Sequence, residues 1–173
     1  MAHLNIEIKA RCGDPASARA WLLDNNALFS GLDKQTDTYF RATSGRLKLR
    51  EGNIENNLIY YKREDTAGPK ASEFTLLKIP DAAALKDVLT QAMGVLVTVI
   101  KNREIYFIDN VKFHIDEVPG LGHFVEIEAG NLKADLPKEK LQEQCDYYCA
   151  ALGIMPADMI DVSYSDMMLA RIT

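Results

Sequence analysis

Four segments of this chain write charge at every second position. They are Asn5-Ile6-Glu7-Ile8-Lys9-Ala10-Arg11, Arg46-Leu47-Lys48-Leu49-Arg50, Val99-Ile100-Lys101-Asn102-Arg103 and Phe124-Val125-Glu126-Ile127-Glu128. Alternation with a period of two marks a strand with two unlike faces. The charged faces gather a basic set, Lys9, Arg11, Arg46, Lys48, Arg50, Lys62, Lys101 and Arg103, and an acidic set, Glu7, Asp116, Glu126 and Glu128. Guanidinium forks and ammonium groups in that number are what a polyphosphate requires, the arginines binding in two-pronged fashion and the lysines as point charges. The acidic set suits a hard divalent ion, Mg2+ or Mn2+, which takes carboxylate and phosphate oxygens. Cations and a metal around a phosphate chain are the usual equipment for phosphoryl or nucleotidyl transfer.

Any one of these strands alone also reads as an ordinary half-buried strand with its charged face in water. Segregation of sign weighs against that. Arg46, Lys48 and Arg50 make one wholly basic face, and Glu126 and Glu128 a wholly acidic one. Like charges brought together disfavour their own ionised forms unless counter-charge is supplied. The apolar partners Leu47, Leu49, Ile100, Val125 and Ile127 are free to pack outward under helices, leaving the charges to line an interior. His114 shares the strand face of Asp116, where it either lines that interior or is a satisfied structural histidine. His3 and His123 carry no such placement.

The elements that must position these residues follow from local signals. Asp14-Pro15 opens a helix running to about residue 26, with Ala18, Ala20, Trp21 and Leu22 at helical spacing. Residues 36–42 read as a strand, 43–45 as a turn, 46–50 as its hairpin partner and 51–57 as a polar loop. Residues 58–63 form a further strand, which Thr66-Ala67-Gly68-Pro69 breaks, and 72–79 is extended again. Pro80-Asp81 starts a helix with Leu85, Val88, Leu89 and Met93 inward, stopped at Gly94. Strands follow over 95–108, 111–118 and 123–129, then a helix over 137–152 and a short one after Ser163. The fold class is α+β: about eight mostly antiparallel strands, enough to close a barrel with a usable interior and helices packed outside.

The 173 residues are 47% hydrophobic and 26% charged, which fits one globular domain over residues 1–173. A net charge of -5 excludes a non-specific nucleic-acid binder. Three cysteines, Cys12, Cys145 and Cys149, in an odd count read as free thiols of a reducing compartment. No signal peptide or long apolar run stands out, so the expectation is a soluble, cytoplasmic protein without a membrane partner.

With those residues collected, the chain resembles the CYTH superfamily of triphosphate tunnel enzymes, most closely its class IV adenylyl cyclase branch. The family's Glu-x-Glu-x-Lys signature is met at Glu7 and Lys9. Further matches are Asp37-Thr38-Tyr39-Phe40, Arg46 through Glu51, Tyr60-Tyr61-Lys62-Arg63, Lys101-x-Arg103, Asp116 through Glu128 and Ser163-Tyr164-Ser165-Asp166. The resemblance implies an eight-stranded antiparallel tunnel whose basic residues grip a small-molecule triphosphate, with Mg2+ or Mn2+ on Glu7, Asp116, Glu126 and Glu128. In the hydrolase branches, Lys9 with Tyr39 resembles a water-activating catalytic dyad. A lysine among many cations is expected to have a lowered pKa, as a base near neutrality needs. In the cyclase branch the substrate's own 3′-hydroxyl attacks instead. A homodimer is compatible with that branch.

Asn5 stands where the family has its first glutamate, which removes one negative charge from the expected metal site. Arg41 departs from the triphosphatase pattern, which often has an acidic residue there. Two functional readings therefore stand at this point: a metal-dependent enzyme cleaving a nucleoside or inorganic triphosphate, by cyclisation or hydrolysis, and a non-catalytic polyphosphate or nucleotide sensor.

Overall fold

Charge inside and apolar residues outside is the arrangement that organises the computed structural model, which describes residues 3–63, 68–132 and 135–172. Eight strands are joined edge to edge in a ring: β1 (His3–Arg11), β2 (Leu28–Phe40), β3 (Arg46–Glu51), β4 (Asn56–Arg63), β5 (Lys70–Lys78), β6 (Val95–Ile108), β7 (Val111–Val118) and β8 (Gly122–Gly130). Around the ring the order is β1-β5-β4-β3-β2-β6-β7-β8, and every neighbouring pair is antiparallel. The helices are α1 (Pro15–Asp24), α2 (Ala82–Met93), α3 (Lys138–Ala151) and α4 (Tyr164–Ile172). The expected closed α+β barrel with external helices is what the chain forms.

The capping chemistry matches the helix starts. Asp14 accepts a hydrogen bond from the Ser17 amide at 3.1 Å and Asp81 one from the Ala84 amide at 3.1 Å. Ser163 and Asp166 cap α4 reciprocally: the Asp166 amide donates to Ser163 Oγ at 3.1 Å, and the Ser163 amide donates to the Asp166 carboxylate at 3.0 Å. Gly94 ends α2 at a φ of 75°, a conformation that costs a side chain far more than glycine. Along α2, Leu85, Leu89 and Met93 are half-buried, whereas Val88 points to solvent at 61% exposure.

The larger apolar core lies outside the barrel. The even-numbered face of β1 (Ile6, Ile8) meets Val111, Phe113, Ile115 and Ile127 of β7 and β8, and Leu141, Cys145 and Cys149 of α3 seal it together with Leu22 of α1. Burying these side chains removes apolar area from water at about 25 cal/mol per Å2, and it holds the charged strand faces inward by parity. All three cysteines are free, and Cys145 and Cys149 are core residues of this layer.

Two boundaries differ from the sequence reading. β2 begins at Leu28 rather than near Thr36, because a register shift between Phe29 and Gly31 breaks the alternation there, with Gly31 at a φ of 129°. The loop between β3 and β4 shrinks to residues 52–55, since Asn56 and Asn57 already pair with Glu51 and Arg50. Of the break expected at Thr66-Ala67-Gly68-Pro69, Thr66 and Ala67 lie outside the described residues. No helix among the described residues is long and apolar enough to cross a membrane.

Candidate active site

The barrel encloses a cavity of about 200 Å3 whose lining includes Glu7, Lys9, Asp37, Tyr39, Lys48, Arg50, Lys101, Arg103, Glu126 and Glu128. α4 closes one end. Its first residue, Tyr164, is buried with its ring 5.0 Å from that of Phe124 and directly beneath the Lys9 ammonium, 3.7 Å from the centroid.

Asp37 is the electrostatic centre of one half of the cavity. Arg50 grips it with two parallel hydrogen bonds of 2.9 Å, and the ammonium groups of Lys101 and Lys48 reach the same carboxylate at 2.8 and 3.2 Å. Burial alone would push the Asp37 carboxyl up; Arg50, Lys101 and Lys48 override it and hold it well below the usual carboxylate range. Glu55, on the short β3–β4 loop, receives Arg50 at 3.0 Å and also Lys112. Lys101 is left in deficit. Burial, together with the nearby Arg50, Arg103 and Lys48, outweighs Asp37 and lowers its pKa from 10.5 to about 7.

Across the cavity, Glu126 accepts the Lys9 ammonium at 2.9 Å, an Arg103 nitrogen at 3.0 Å and a contact from His114 Nδ1 at 3.0 Å. Burial would raise this carboxyl as well; Lys9 and Arg103 keep it well below its ordinary value. Glu128 lies 3.8 Å from His114 Nδ1, and the register places Glu7 of β1 directly opposite Glu128 of β8. Burial, then Arg103, pushes the His114 pKa down, and its Nε2 is buried with no hydrogen-bond partner among the described residues.

A divalent metal fits this wall. One donor atom each from His114, Glu126 and Glu128 lies within 4.8 Å of the others. The carboxylates suit a hard ion, and the imidazole adds a donor that transition metals such as Mn2+ accept. Asp116, expected in the same set, stands apart from it. Arg103 takes both of its oxygens at 2.7 and 2.6 Å, and the Tyr164 hydroxyl donates to it at 2.7 Å, so α4 covers it.

Two expected substrate contacts are also placed elsewhere. Arg11 shares the parity of Glu7 and Lys9 but sits beyond the closed end, exposed, with its guanidinium 5.4 Å from the Phe124 ring centroid. Lys62 is on the outer face of β4, because Ile59 and Tyr61 are the residues that face the cavity. Arg46 has the right parity and sits at the α4 rim, paired with Asp166 at 2.8 Å. Lys9 and Tyr39 line the same cavity, and Lys101, in that cavity too, has its pKa lowered towards neutrality. Sequence reasoning misses Asp37, Glu55, Lys112 and Tyr164 as site residues. A loop position has no parity to read, but Lys112 shares the strand face of His114 and Asp116, and that alternation is the signal that could have found it.

A closed eight-stranded tunnel with ions within and helices without defines a fold class, and comparison with known proteins names it. Residues 3–149 match the CYTH domain model, and the chain belongs to that family. It is 27% identical over 146 residues to a protein of Methanocaldococcus jannaschii provisionally named adenylate cyclase, covering 80% of this chain and 77% of the relative. The fold is shared with a Vibrio parahaemolyticus protein of the same provisional name, at 17% identity and a TM-score of 0.79 over 98% of this chain and 99% of the other. It is also shared with HpAC1 of Hippeastrum, a provisional adenylyl cyclase described as having dominant triphosphatase activity. That match has 16% identity and a TM-score of 0.63 over 98% and 95% of the two chains.

Two outcomes test the electrostatics. Asp37→Asn should destabilise the protein by roughly 3–5 kcal/mol in urea denaturation, because it strands Arg50, Lys101 and Lys48 without their shared counter-charge. Millimolar tripolyphosphate should restore part of the loss. The lowered Lys101 pKa means that the unfolded chain binds more protons between about pH 7 and 10.5, so stability rises with pH across that window. Denaturation at pH 7 and 9.5 should show this rise in the wild type and a smaller one in Lys101→Met.

Proposed function

We propose that the protein is a metal-dependent enzyme that draws a triphosphate into its tunnel and cleaves a phosphoanhydride bond. The observation that carries the reading is the placement of Lys9, Lys48, Arg50, Lys101 and Arg103 around one cavity with Glu7, Glu126 and Glu128 on the adjoining wall. Lys48 and Lys101 now share Asp37 with Arg50, and an incoming phosphate chain would supply the missing negative charge. Such binding favours the protonated form of Lys101 and strengthens with the charge of the ligand. Glu126 and Glu128, with Glu7 and His114 beside them, would hold Mg2+ or Mn2+, which neutralises phosphate oxygens and polarises phosphorus when bound. Arg103 is oriented by Asp116, which also accepts the Tyr164 hydroxyl, and reaches the same wall through Glu126. The cation cluster is thereby preorganised before substrate arrives, which is where electrostatic catalysis gains its advantage.

Support for cleavage also comes from the relatives: all three carry a provisional adenylate or adenylyl cyclase name, and one of them a described triphosphatase activity. The chemistry then divides by nucleophile. A substrate 3′-hydroxyl would give cyclic AMP and pyrophosphate from ATP, and water would give orthophosphate, with Lys9 and Tyr39 as candidates to activate it. Asn5 lines the cavity as a neutral amide, and a tight binder without turnover is the reading it favours.

Incubating the protein with ATP, tripolyphosphate and thiamine triphosphate in Mg2+ and in Mn2+, followed by product identification, tests the proposal. Metal-dependent release of cyclic AMP or orthophosphate is the expected result; binding without product would establish the sensor instead. Glu126→Gln should cut the metal-dependent rate by about two orders of magnitude or more. Lys48→Ala should weaken substrate binding roughly tenfold to a hundredfold, mostly in KM, as loss of a charged contact does.

A further inference from the structure

We infer that the triphosphate this tunnel accepts ends in an organic ring, which lies on the wall formed by β4 and β5. The inference rests on the triphosphate reading above and narrows its substrate class. The cavity is lopsided in charge. Its ionic side chains come from β1, β2, β3, β6, β7, β8 and the β3–β4 loop, whereas the lining residues of β4 and β5 are Asn57, Ile59, Tyr61, Ser72, Phe74 and Leu76, none of them charged. Register makes this a patch and not a scatter: Ile59 stands opposite Leu76, and Tyr61 opposite Phe74. Side chains directly opposite on paired strands pack against one another. Two such pairs, one pleat repeat apart, span roughly 5 Å by 7 Å, the dimensions of a planar heterocycle.

The patch is not wholly consumed by the core. Ile59 and Tyr61 are buried, but Phe74 and Leu76 are half-exposed at the cavity. Asn57 and Ser72 flank it with an amide and a hydroxyl able to pair with ring nitrogens or exocyclic groups. Lys48 links the two halves, its ammonium 5.5 Å from the Tyr61 ring centroid and 3.2 Å from Asp37. An inorganic phosphate chain is hydrophilic along its whole length. It would gain nothing from an apolar wall, and its oxygens would lose water there without replacement. A ring attached to a triphosphate gains contact on one wall while its phosphates stay on the other.

Charge alone predicts the opposite preference, since tripolyphosphate carries more negative charge than ATP or thiamine triphosphate. Titration calorimetry in EDTA, which withholds metal and so turnover, would compare the three ligands on the intact protein. The expected result is that ATP or thiamine triphosphate binds at least about tenfold tighter than tripolyphosphate, the discrimination one well-filled apolar pocket provides. Phe74→Ala and Leu76→Ser should each lower that ratio several-fold, and Phe74→Leu should retain most of it; thermal melts establish that each variant is folded. Tripolyphosphate binding as tightly as both organic ligands, or a ratio unmoved by the folded variants, overturns the inference and leaves the triphosphate reading standing. Failure of all three to bind removes both. Should the variants not fold, the wild-type ratio decides.

Discussion

One carboxylate lets a cluster of cations exist inside this protein. Asp37 is 1% exposed and takes a guanidinium and two ammonium groups at once. Removing that many charges from water is costly, and mutual repulsion adds to the cost. The barrel meets it in part through strand register: Arg50 faces Asp37 on the neighbouring strand, Arg103 faces Asp116, and Lys9 faces Glu126, whereas Lys101, opposite Gln35, reaches Asp37 diagonally. The partners do not satisfy all the cations equally. Positive charge remains in excess around Lys101, where burial and neighbouring arginines prevail over the shared carboxylate. A phosphate chain supplies what that region lacks.

The same logic explains why the apolar core is on the outside. A strand that is ionic at alternate positions has only the others to pack with, so Ile6, Ile8, Val125 and Ile127 turn outward, most of them against helices and neighbouring strands. The helices α1 and α3 are thus the reason the charges stay inside. On β4 and β5 the pattern changes: Ile59, Tyr61, Phe74 and Leu76 face inward, while Lys62 and Glu73 face solvent. Tunnel polarity therefore switches between adjacent strands, and the ligand surface has two chemically distinct sides.

How much of this was legible in the sequence follows from what alternation can encode. Parity identified the inward charges of β1, β3, β6 and β8, and with them the closed antiparallel barrel, because charged residues recur there at every second position, mostly between apolar ones. Parity carries no information about height along the barrel axis, so Arg11 had the right face and the wrong level. It also failed at Leu58-Ile59-Tyr60-Tyr61-Lys62-Arg63, where both faces carry bulky apolar residues and Lys62 cannot be assigned from the pattern. Asp116 had the right face, but its oxygens are claimed by Arg103 from the next strand and Tyr164 from a helix 48 residues later, a meeting that only tertiary structure reveals. The bulge at Gly31 hid the part of β2 before Thr36 for a related reason: it shifts the period by one.

Ring closure has a consequence for how the molecule comes into being. β1 is hydrogen-bonded to β5 on one side and to β8 on the other, with Asn5 opposite Gly130. The final seam thus joins segments more than a hundred residues apart, and such non-local pairing is slow because loop-closure entropy is lost before contacts reward it. Until that seam zips, Lys9 has no Glu126 and the barrel has two unpaired edges, the kind of surface on which chains associate with one another. The Lys9–Glu126 pair, which crosses that seam, therefore reports on completion of the ring, whereas the Asp37 cluster needs only β2, β3 and β6.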